Sequence, residues 1–161
     1  MALITTSTER KVHLVFTGDP SVELTPEALQ RRTETWRLRQ MRQVLAALPK
    51  EATEEERHQA EQLAKANLAD AKLPRVWVGL DECRKSEGAT VATVRSLSWH
   101  EDQEVNGLPP EQNVRRVLEL CVVEIGSSPE AARQFLINPP AHLVTPLYHA
   151  IVDHTWGNLP G

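Results

Sequence analysis

This sequence is poor in cysteine, aromatic residues and glycine: it has two cysteines, one tyrosine, two phenylalanines and seven dispersed glycines in 161 residues. Cys83 and Cys121 lie 38 positions apart with no Cys-x-x-Cys spacing, which excludes a cysteine-rich zinc or dithiol centre. Both are expected as reduced structural thiols, Cys121 inert in an apolar helix and Cys83 more exposed in a polar segment. The glycines form neither Gly-x-x-x-x-Gly-Lys nor Gly-x-Gly-x-x-Gly, so no nucleotide cofactor is expected. No metal or other cofactor is expected either. No apolar run approaches the ~20 residues that span a bilayer, and the first residues lack the basic and apolar regions of a secretory leader. The formal charge of −4 is too mild to attract phosphate backbones or anionic membranes, so neither nucleic acid nor membrane is an expected partner.

What is present is an ordinary globular balance, 40% apolar and 25% charged, in a chain of one-domain length. At that size roughly 70% of the unfolded surface can be buried. The expected class is α+β: mostly helical with a small antiparallel β component, in a single domain over 1–161.

Along the chain, residues 1–9 read as a flexible Thr/Ser arm. Val12, Leu14 and Phe16 alternate, and Gly18-Asp19-Pro20 turns the chain before Val22 and Leu24, which predicts an N-terminal β-hairpin. Thr25-Pro26 starts a helix to about Leu48, because a threonine hydroxyl caps free N–H groups and proline costs nothing at the first helical position. Leu29, Trp36, Leu38, Met41, Val44, Leu45 and Leu48 form its broad apolar sector. Thr53-Glu54-Glu55-Glu56 is a capping box opening a second helix to about Lys72, with Ala60, Leu63, Ala64, Leu68 and Ala71 as its inner stripe. A helical hairpin over 26–72 follows.

Residues 75–97 then form a β segment, with Val76–Leu80 and Thr90–Leu97 as two paired strands around a charged loop from Asp81 to Glu87. The rest, 98–156, is helical. Ser98–Glu101 is a capping box for a short helix ended by Asn106-Gly107. Pro109-Pro110 opens a helix whose stripe is Val114, Val117, Leu118, Cys121, Val122 and Ile125, stopped by Gly126. Ser128-Pro129-Glu130 starts another to Ile137. In the last helical region, Pro146 either begins a helix capped by Thr145 or interrupts a longer one.

Each candidate site carries an alternative. His100-Glu101-x-x-Glu104 is similar to a zinc hydrolase motif with glutamate in place of the second histidine, and the same letters describe a capped, charged helix. His142, His149, Asp153 and His154 lie close in sequence, but a helical wheel separates His154 from the His149–Asp153 side. Arg31, Arg32, Arg39 and Arg42 fall within about 100° of the first helix's circumference, opposite its apolar sector. This stripe either grips an acidic partner or pairs with Glu54–Glu56 and Glu61 of the next helix. Leu120 and Val123 make the helix after Pro110 apolar nearly all round, so a second neighbour is needed, either the C-terminal helix or another subunit.

Three segments, Val94-Arg95-Ser96-Leu97-Ser98-Trp99-His100-Glu101, the helix containing Leu118 to Ile125, and Pro139-Pro140-Ala141-His142-Leu143-Val144-Thr145-Pro146-Leu147-Tyr148-His149-Ala150-Ile151, together resemble small tail-assembly and baseplate-hub proteins of tailed bacteriophages. The resemblance covers roughly 94–156. It departs from the pattern at His142, where such proteins tend to have glycine, and has no counterpart for 26–72. It implies a non-enzymatic subunit or assembly factor in a bacterial cytoplasm or a virion, with other tail or baseplate proteins, or further copies of itself, as partners. The other readings are a metal-dependent hydrolase using His100, Glu101 and Glu104, and a regulatory adaptor binding an acidic partner through Arg31–Arg42.

Overall fold

A computed structural model describes residues 11–156. The expected arm at 1–9 lies outside the described residues. The chain is α+β and divides into two compact units, one formed by residues 11–24 with 75–156 and the other by Thr25–Pro74.

In the first unit the strands are β1 (Lys11–Phe16), β2 (Glu23–Leu24), β3 (Trp77–Gly79), β4 (Cys83–Lys85), β5 (Ala92–Arg95) and β6 (Val122–Ile125). Four of them form an antiparallel sheet in the order β3-β1-β5-β6, while β2 and β4 pair separately. The expected N-terminal hairpin is therefore not formed. Asp19 N–H does donate to Phe16 O, and Val22 N–H to Asp19 O, so the chain turns where Gly18-Asp19-Pro20 requires. The ladder edge is already taken, however: Thr17 N–H donates to Val76 O at 2.8 Å and Val15 is registered against Val78. Nor do the two strands of the 75–97 segment pair with each other. They flank β1, Leu14 facing Gly79 on one side and Ala92 on the other. The loop between them holds a 3₁₀ turn at Leu80–Glu82 and the strand β4, which places Cys83 in a ladder rather than a loop.

The second correction concerns the helix after Pro110. It ends at Cys121, and Val122 to Ile125 become β6, pairing with β5. A short β-branched run is ambiguous by periodicity alone, and here the open edge of β5 offers ladder hydrogen bonds that a further helical turn would forgo. The 3.6-residue stripe of Val114, Val117, Leu118 and Cys121 stops where period-two pairing starts. A turn with positive φ at Gly126 (58°) and Ser127 (65°) returns the chain into the next helix.

The helices of this unit are designated α3 (Trp99–Asn106), α4 (Pro110–Cys121), α5 (Pro129–Ile137) and α6 (Ala141–Thr155), in chain order after the two helices of the second unit. They pack on the sheet around Leu14, Val94, Val117, Cys121, Leu147 and Ile151. Pro146 lies inside α6, so the longer-helix alternative holds. Asn113 ties three helices together: its amide donates to Val105 O at 2.6 Å, and its oxygen accepts from Tyr148 Oη at 3.0 Å.

The second unit is the expected helical hairpin, α1 (Pro26–Ala46) and α2 (Glu54–Ala69), both slightly shorter than predicted. Thr25 caps α1, and the Thr53–Glu56 box closes reciprocally at the start of α2. Arg37 reaches from mid-α1 to Ala69 O and Ala71 O beyond the far end of α2, consistent with antiparallel helices. Only Ala28 and Ala64 of these helices are buried. Leu29, Leu38 and Val44 of the expected inner sector, and Leu63 of the α2 stripe, are exposed.

Candidate functional site

The His100–Glu104 segment lies on α3. Ser98 caps the helix by accepting from Glu101 N–H, and Glu101 Oε1 accepts from Ser98 N–H at 2.9 Å. The same carboxylate receives a bidentate fork from Arg95, with both N···O distances 2.8 Å. The Arg95 guanidinium, acting through this hydrogen bond against an opposing burial effect, holds the Glu101 carboxyl down at about 2. Glu101 thus fastens the end of β5 to the start of α3. Glu104 pairs with Arg116 on α4 at 3.1 Å, and the exposed His100 ring lies edge-on to Trp99. The two carboxylates of the hydrolase reading are accordingly turned to arginines on different elements.

The histidines of α6 also go separate ways. His142 meets the edge of Phe16, His149 meets Tyr148 at the surface, and His154 is buried. Among the described residues no group of three or more His, Cys, Asp or Glu side chains gathers to hold a metal ion.

Arg31, Arg39 and Arg42 stand exposed on α1, with Arg32 half-buried. In the neighbouring helix Glu61 pairs with Lys65. Leu120 and Val123, expected to widen one helical face, belong to different elements. Leu120 on α4 packs against the core, and Val123 lies half-buried in β6. The C-terminal-helix alternative for α4 is met, since α4 and α6 pack together.

Sequence reasoning missed the exposed aromatics. Leu97 N–H donates to Thr155 Oγ1 at 3.0 Å, which sets the start of α3 beside the end of α6. Trp99 and Trp156 flank this junction at 72% and 63% exposure. Trp99 was legible only as part of a capping box, and no wheel reaches Trp156. A groove of about 260 Å³ lies between α4, α5 and α6, floored by Val114, Leu118, Leu136 and Val144, with Ile137 at its lip.

Cys121 is fully buried, and loss of solvent pushes its thiol up to about 12 against the opposing pull of Arg95. In the folded protein Cys83, half-buried in β4, is expected to react with a thiol reagent at least ~10-fold faster than Cys121. Labelling followed by peptide mass analysis checks this; equal rates would show that the core around α4 opens readily.

Among the described residues no helix is long and apolar enough to cross a membrane. Comparison with protein-family models, curated proteins and solved structures returns no match to this chain.

Proposed function

We propose that this chain works without chemistry of its own, as an assembly protein that binds other proteins through exposed apolar surfaces. The observation that carries this reading is the set of large apolar side chains left 40–72% exposed, including Leu38, Leu63, Trp99, Ile137 and Trp156. Tryptophan, represented here by Trp99 and Trp156, is among the residue types that most often carry the binding energy of protein interfaces. The resemblance of residues 94–156 narrows the assembly to a phage-like tail or baseplate, in a bacterial cytoplasm or a virion. There the chain serves as a structural subunit or as an assembly factor.

Purified particles and a pull-down against tail components test the proposal. A subunit copurifies in fixed stoichiometry, whereas an assembly factor binds a tail component but is absent from finished particles. Failure to enter particles together with failure to bind any tail component would overturn the tail reading.

A further inference from the structure

We propose that the α1–α2 hairpin is a separately melting element, which unwinds and re-forms as one local unit while the α+β unit that carries it stays folded. The inference goes beyond the assembly reading and does not depend on it.

The core of the α+β unit is made wholly within that unit. Among the described residues its buried apolar side chains, and the half-buried ones packed on them, come from Val12 to Phe16 and from Trp77 to Ile151, with none from 25–74. Both ends of the inserted hairpin are also fastened inside the unit. Where the chain leaves, β2 sets Glu23 against Lys85 and Leu24 against Cys83 of β4. Where it returns, Val76 N–H donates to Thr17 Oγ1 at 2.9 Å, and Val76 O accepts from Thr17 N–H at 2.8 Å. Melting the hairpin breaks none of these bonds. It turns 25–74 into a loop with tethered ends, and the entropy of closing a loop rises only with the logarithm of its length.

The hairpin itself is weakly held. Its helices bury only Ala28 and Ala64, while Leu38 and Leu63 stand 59% and 64% exposed. Helices in proteins draw most of their stability from a packed apolar face rather than from propensity, and here that face is largely in water. The cross-link from Arg37 to Ala69 O and Ala71 O is offset by its own Nε, which is buried without a hydrogen-bond partner. Unwinding returns that N–H to water and removes its desolvation cost. Few buried apolar contacts within a contiguous segment are the mark of a unit that opens below the global unfolding free energy. α1 and α2 pack on each other, so neither keeps that cover once the other unwinds, and the two open together.

Amide hydrogen exchange of the full chain under native conditions, read peptide by peptide, is the test. Amides of α1 and α2 are expected to be at least ~100-fold less protected than those of β1 and β5. Ala64→Pro in the full chain supplies a second measurement, because proline inside a helix removes a hydrogen bond and clashes with the preceding turn. The amides of α1 should then lose protection although the substitution lies in α2, while those of β1 and β5 stay within ~3-fold of the wild type. Hairpin amides as slow as those of the sheet in the wild-type chain overturn the inference. So does a proline variant whose sheet exchanges along with its hairpin, or one whose α1 amides do not change.

Discussion

Replacing Leu14 by alanine is expected to destabilise the protein by 2–5 kcal/mol, about the range for deleting a fully enclosed leucine. Leu14 is 0% exposed in the central strand β1. Its registered neighbours are Gly79 and Ala92, whose small side chains fill little of the space a truncated Leu14 would leave. The cavity should therefore persist, which places the loss toward the upper part of that range. Urea unfolding followed by circular dichroism measures it. The outcome also separates two topologies: in a peripheral N-terminal hairpin the same change would cost well under ~1 kcal/mol. A loss that small would mean that β1 is not the middle of the sheet.

The second large effect lies in the Arg95–Glu101 fork. Glu101→Gln keeps the shape of the side chain and much of the cap while removing the charge. Glu101 has its folded value lowered to about 2, so its stabilisation is full above the ordinary glutamate value of ~4.3 and is lost as pH falls through that window. The two side chains retain about one fifth of their exposure, at 21% and 20%, and solvent still screens the pair. We therefore expect a loss of about 1–2 kcal/mol at pH 7 rather than the full value of the shift. The gap between wild type and variant should stay constant above pH ~5 and close between about 5 and 2. Paired unfolding curves at pH 7 and 3 check this, and an equal gap at both would remove the ion pair as its source.

Glu101 also shows how the sequence and the structure share the candidate site. Its spacing from Ser98 announces a capping box, and the box is there. The second partner, Arg95, is six residues away across a strand end, where no short-range pattern points to it. A zinc-hydrolase reading of the same letters arises because a cap and a metal ligand both call for carboxylates at helical spacing. The exposed surfaces were less legible still. Leu38 and Leu63 carry the same helical period as core residues, and period alone does not say how many neighbours a helix has.

The sequence by itself determined where four of the described helices begin. Thr25, Thr53, Ser98 and Ser128 each accept a backbone N–H three residues on, and such bonds close within one turn whatever the rest of the chain does. It also determined the α+β class, through the change of apolar period along the chain. Only the tertiary structure decided how the strands pair and where α4 stops. Val76–Leu80, Thr90–Leu97 and Val122–Ile125 are short apolar runs that suit several partners, and the edges left open by β1 and β5 selected among them. Ladder bonds join residues tens of positions apart, so a local pattern prescribes a strand without naming its neighbour.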